Sequence, residues 1–281
     1  MNTLYASLLP TGDPAPAAVP LLALLSGIGM ILVALGFAAY AGRRRLGWGA
    51  FGLGALAWGV SVAFKFAWAI PCNPPIYTAL NQAMPALCDP LFMVYVGGLT
   101  GIFEVGLVAL LLRYTRLGKV AWPSALAFGI GFGAVEALWF GVISLSSTLG
   151  AMVIAVVHPP PPEVAARLGN ILWVLAPVVE RLAAVCIHTC ANVLIFYAVK
   201  TRQMRWFLLA FGYKTVIDAL AAVFVHIIGI DTLGRGWAFE SLMILFALAG
   251  WLGLRWLAPR YRALPIREVG APVARPGPSA G

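Results

Sequence analysis

Eight polar side chains stand in stretches otherwise built of Leu, Val, Ala, Gly and Phe: Glu104, Glu136, Glu180, Arg181, His188, Asn192, Lys214 and Asp218. An ionisable group at the centre of a bilayer costs about 2.5–3.5 kcal/mol on insertion scales, so each is by default a functional hypothesis. Their chemistry divides three ways. Glutamates, a histidine and an asparagine converging in one cavity could hold a metal or position a water for peptide hydrolysis. The same groups could relay protons or hold an ion in transit. They could also bind one partner helix through interhelical hydrogen bonds. The plainer alternative is a buried ion-pair cluster that only fixes helix packing. Four acids face two fixed bases, Arg181 and Lys214, with His188 able to supply a further charge or hydrogen bond.

Spacing narrows the geometry. Arg181, His188 and Asn192 step by seven and then four, which keeps them within about 60° of one helix face at 100° per residue. Glu180 lies about 100° to one side and flanks that stripe. Phe128, Phe132 and Glu136 step by four along another face, and Lys214 and Asp218 are four apart, able to neutralise one another. These stripes must turn toward each other, or the helices would show charge to lipid.

The elements that position them are membrane spans. Of 281 residues, 62% are hydrophobic and 10% charged, where a soluble domain carries about 25% charged residues. The mean hydropathy is +0.92. Apolar runs of about 20 residues indicate helices, since barrel strands are short and alternating. Seven spans are expected, at about 18–41, 47–70, 90–112, 120–143, 170–199, 206–229 and 237–257. They form one all-α transmembrane domain over 18–258. Residues 1–17 form a flexible outer leader, and 259–281 a disordered, basic cytoplasmic tail. Lys65 falls near the outer end of the second span, where it can snorkel to the interface. Residues 71–89, opening with Pro71-Cys-Asn-Pro-Pro75, read as an outer loop. Residues 144–169 read as an outer excursion or re-entrant piece, because Leu149–Val157 is too short to cross.

The net charge of +9 does not point to nucleic acid. The basic residues lie between spans, in groups such as Arg43–Arg45, Arg113–Lys119 and Lys200–Arg205, and the odd number of spans puts every group on one side. That side is the cytoplasm by the positive-inside rule, with the N-terminus outside, the C-terminus inside and anionic lipid headgroups as partners. The first span is a signal anchor ending in Arg43–Arg45, and no cleavable signal is visible. An integral protein of a bacterial-type inner or plasma membrane is the expectation. Cys72 and Cys88 flank the first outer loop, where they either pair or stay free. Cys186 and Cys190 share a helix face, but His188 lies about 200° round from Cys186, which excludes a Cys-Cys-His site. Small thiols in helix packing fit better. Glycines 47, 49, 52, 54 and 59 permit close packing of the second span.

Four segments carry a resemblance: Gly101-Ile-Phe-Glu104; Ala127-Phe-Gly-Ile-Gly-Phe132-Gly-Ala-Val-Glu136-Ala; Glu180-Arg181 with His188 seven after the arginine; and Tyr213-Lys214-Thr-Val-Ile-Asp218. In order and spacing these resemble the YhfC family of intramembrane metallopeptidases, distantly similar to CAAX-processing and bacteriocin-processing membrane proteases. The resemblance covers about 99–222. It implies a helical cavity holding zinc or an activated water, with a membrane protein or lipidated peptide as substrate. Glu104 would act as base, Glu136, His188 and Asn192 would complete the catalytic set, and His188 would be a metal ligand. Glu180, Arg181, Lys214 and Asp218 would support them.

The chain also departs from the family pattern. Val105 stands where a second glutamate is usual, Val108 where an arginine is, and Phe132 and Lys214 where histidines are. Of three expected histidines only His188 remains, while a catalytic zinc normally takes three protein ligands. The residues therefore point to a divergent metallopeptidase-like member, either active through an atypical carboxylate-rich site or inactive through its replaced ligands; the alternative is a non-enzymatic binding or scaffold protein of the same fold. A transporter would need a continuous polar path, and the inner halves of the third to fifth spans look apolar.

Overall fold

The computed structural model describes residues 18–264. The expected leader, 1–17, and the tail beyond 264 lie outside them. Among the described residues there are helices and no strands. Seven helical segments are long and apolar enough to cross a membrane. The described residues form nine α-helices, all but α6 within those segments: α1 Leu24–Arg43, α2 Trp48–Ala83, α3 Cys88–Thr100, α4 Leu107–Tyr114, α5 Trp122–Ile154, α6 Pro162–Leu168, α7 Ile171–Thr201, α8 Met204–Val223 and α9 Leu233–Arg262. The third span joins α3 to α4 through a π-helical turn, Gly101–Gly106, and a second π-turn, Phe224–Ile228, ends the sixth.

α7 is the hub. In its most apolar stretch 78% of residues are buried, against 22% or less in α1, α2, α8 and α9. Around it stand α1, α5, α2, α3, α8 and α9, each packed on its neighbour. The order follows from where the backbones can approach. A Cβ added to Gly54 of α2 would meet the Phe128 carbonyl of α5, and one on Gly131 would meet the Phe51 carbonyl of α2. On the other side of α5, a Cβ on Gly129 or Gly133 would lie 2.8 Å from the Cα of Thr189 or Val185 on α7. The glycine run therefore lets one helix lie against two others within a single chain. Of the second-span glycines, Gly54 makes this approach, whereas Gly47, Gly49, Gly52 and Gly59 have nothing within 4 Å.

Three expectations about the ends of spans are corrected. Residues 71–83 are not a loop: α2 runs through Pro71, Pro74 and Pro75 for 36 residues, about 54 Å at 1.5 Å per residue. Pro71 lies about 35 Å along it, beyond a hydrocarbon core of about 30 Å. Proline fixes φ at a helix-compatible value and loses only its N–H, and water outside the lipid can satisfy the freed carbonyls. Polar aromatic contacts hold this end to α3. Tyr77 donates to Asp89 at 2.8 Å, Tyr95 to Asn73 at 3.1 Å and Trp68 to Tyr95 at 3.0 Å. Residues 144–154 are likewise not an excursion but the last three turns of α5, and only 155–170, with the short α6, link it to α7. Finally, α9 carries through Pro259 to Arg262.

All four cysteines are free thiols. The Cys190 sulfur would lie 3.5 Å from a Cβ at Gly253 of α9, so it acts in helix packing.

Candidate functional site

The polar stripes do turn toward one another. Glu136 of α5 is the most contacted carboxylate. One oxygen accepts the Trp58 indole N–H of α2 at 2.8 Å and lies 2.8 Å from His188 Nε2 of α7. Its other oxygen accepts from the Arg181 guanidinium. Arg181 also donates to Glu180, and its plane lies 4.8 Å over the Phe140 ring. One cation thus ties two carboxylates and an aromatic face at the junction of α5 and α7.

Glu104 forms the second centre. It projects from the π-turn, where the extra residue per turn breaks the regular α-helical sequence of side chains. Such turns are rare and often mark functional positions. Glu104 is buried. One of its oxygens accepts from Lys65 Nζ at 2.6 Å. The other has no hydrogen-bond partner, with Lys214 Nζ at 3.5 Å and His188 Nδ1 at 3.8 Å. Lys214 stands at the same 3.5 Å from Asp218 one turn on. His188 therefore bridges the two centres, with one ring nitrogen toward each glutamate.

Asn192 lies beside this bridge without joining it. Its amide donates to the His188 carbonyl at 2.9 Å, and its side-chain oxygen is buried without a partner. The intrahelical pairing expected for Lys214 and Asp218 is only half of the arrangement, since Lys214 is shared with Glu104.

Lys65 is the main correction. It does not snorkel to an interface but turns inward to Glu104, with a further contact to Thr100 at 3.4 Å. α2 continues 18 residues past it, and its ammonium turns to the neighbouring span instead. A buried carboxylate offers its ammonium a better partner than lipid does. The cluster thus holds three fixed cations, not two. Trp58, Thr100 and Phe140 were also missed. A tryptophan far from the interfacial belts was the available signal for Trp58. Thr100 and Phe140 had none.

Phe132, the replaced histidine position, has its ring 5.1 Å from that of His188. Together with Val105 and Lys214, which replace other family residues, it lines one small gap shared with Glu104, His188 and Asn192. Three of the four departures from the family pattern thus meet at one point in space. The gap leaves no space for a water molecule between them. Toward the inner end it is backed by an apolar core including Val108, Leu112, Trp122, Phe128, Phe196 and Tyr261.

A metal does not fit these residues. Both nitrogens of the single histidine face carboxylates, and two ammonium groups stand where a cation's charge would have to go. Among the described residues, no group of three or more His, Cys, Asp or Glu is placed to hold a metal ion.

A family model described as YhfC intramembrane metalloprotease matches residues 29–233. That stretch includes every member of the cluster. No curated protein and no solved structure matches the chain.

Proposed function

The chain belongs to the YhfC intramembrane metalloprotease family, and from that premise we propose that it is a metal-independent, non-hydrolytic member that works by binding within the membrane. One observation carries this reading: Lys65 and Lys214 hold Glu104 between two ammonium groups, 2.6 Å and 3.5 Å away. A general base must reach a water or a substrate proton. Glu104 instead has its charge met by protein cations in a packed gap, with Phe132 filling a position from which a ligand would point. Lys214 and Lys65 supply the positive charge that a metal would bring, and the helices are held by it. Arg181, Glu180 and Glu136 do the same between α5 and α7. His188 spans both centres and sets their separation.

The partner that this reading favours is a membrane protein segment or a lipidated peptide, taken up against the bundle. The positive-inside pattern supports a cytoplasmic C-terminus and a bacterial-type inner or plasma membrane as its setting.

Conversion tests the reading. Phe132→His combined with Lys214→His would return two imidazoles to the gap that already holds His188 and Glu104. Zinc bound by the double variant in detergent, and not by the unmodified protein, is the expected result. Equal zinc binding by both proteins, or release of peptide fragments by the unmodified protein on adding zinc, would overturn the proposal.

A further inference from the structure

A large cavity lies away from the buried cluster. It is a half-open groove of about 1300 Å³ between the third span on one side and the start of α8 on the other, with the end of α7 behind. Its walls are apolar: Phe103, Leu107 and Leu110 face Met204, Phe207 and Phe211. Its mouth is basic. Arg113, Lys119, Lys200 and Arg202 line it, and no acidic residue does among the described residues. None of the four lies within 4.0 Å of a carboxylate among the described residues. Lys200 is partly occupied, lying 4.8 Å over the Tyr261 ring.

We propose that this groove is a binding site for one anionic phospholipid, with an acyl chain along the third span and the phosphate among Arg113, Lys119 and Arg202. Length and charge both support that occupant. From Ile102 to Arg113 is eleven residues, about 16 Å of helix. That matches one leaflet of a hydrocarbon core about 30 Å thick. The cations therefore sit at headgroup depth, while the apolar end reaches the level of the π-turn that carries Glu104. Juxtamembrane Lys and Arg attract anionic headgroups on the cytoplasmic leaflet. Arginine adds a planar fork that matches phosphate. The proposal is independent of whether the buried cluster binds metal, because no residue is shared between the two.

The test is lipid retention by the full-length protein in detergent, read by native mass spectrometry. The probes are micelles containing phosphatidylglycerol or phosphatidylcholine of identical acyl chains, with free glycerol phosphate as a control. One phosphatidylglycerol per chain should be retained in preference to phosphatidylcholine, with no retention of glycerol phosphate. Lys119→Gln with Arg202→Gln should weaken retention about thirtyfold, from the usual contribution of two basic residues near an anionic surface. Leu110→Trp should weaken it with every charge intact, because it fills the groove. It also keeps the proposal falsifiable if the charge variant fails to fold. Equal retention of the two lipids, or unchanged phosphatidylglycerol binding in Leu110→Trp, would overturn the proposal. Binding of glycerol phosphate alone would show an anion site rather than a lipid site.

Discussion

Two charged regions of this chain handle their charges in opposite ways. In the buried cluster, Lys65, Lys214 and Arg181 each face carboxylates on other helices or one turn away. At the groove between the third span and α8, four cations have no carboxylate partner among the described residues and stand at the mouth of an open space. Lipid explains the contrast. Inside the hydrocarbon core a charge has no solvent, so it must be met by the protein. At headgroup depth it can be left for the membrane to meet. The first region should therefore matter for folding, the second for what the protein holds.

The largest effect should come from breaking the paired region. Arg181→Met leaves Glu136 and Glu180 without their shared cation. Removing one partner of a buried pair costs about 3–5 kcal/mol. Thermal unfolding in detergent should fall sharply, and Glu136→Gln in the same chain should recover part of the loss. Without that recovery, Arg181 would be acting through packing over Phe140 and not through its charge.

A smaller effect should follow from Gly131→Ala, whose new Cβ would collide with the Phe51 carbonyl and push α2 from α5. Overpacking of this kind costs about 1–3 kcal/mol. It should also loosen the Trp58 hydrogen bond to Glu136, visible as altered tryptophan fluorescence. An unchanged unfolding temperature would mean that the α2–α5 contact is not tight.

Neutralising the unpaired region should cost far less. Lys119→Gln with Arg202→Gln should stay within about 0.5 kcal/mol of the unmodified protein, as surface substitutions usually do. A loss as large as that of Arg181→Met would erase the distinction between the regions. Smallest of all should be the exposed Asp231–Arg235 pair, 2.8 Å apart at the outer link before α9. The Arg235 hydrogen bond holds the Asp231 carboxyl below the ordinary aspartate value. A depressed folded value means that any stabilisation is present above that ordinary value and is lost as pH falls through the lowered one. Asp231→Asn should leave neutral-pH unfolding unchanged and remove only a slight acid dependence.

Much of this contrast was legible in the sequence, for physical reasons. Spans of apolar residues are set by bilayer thickness, so seven could be counted from length alone. Stepping by four and seven put Arg181, His188 and Asn192 on one face, because helix geometry is fixed. What failed was local. Pro71, Pro74 and Pro75 looked like a stop, but proline breaks a helix only where the lost hydrogen bond cannot be replaced. Lys65 was left to snorkel because its partner, Glu104, lies 39 residues away in sequence and only helix packing brings the two together. The π-turn at Glu104 has no residue signature in Gly101–Gly106, and it alone determines where that carboxylate points. The groove could not be foreseen, since it depends on how far α4 and α8 stand apart and not on either helix by itself.

The central claim is that protein cations occupy the place of a metal. Its most direct test is the zinc content of the unmodified, detergent-purified chain after equilibration with zinc, beside His188→Ala. Neither protein should hold zinc at a level approaching one ion per chain, and chelator should leave the unfolding temperature unchanged. One zinc per chain that disappears in His188→Ala would contradict the account and restore His188 as a metal ligand.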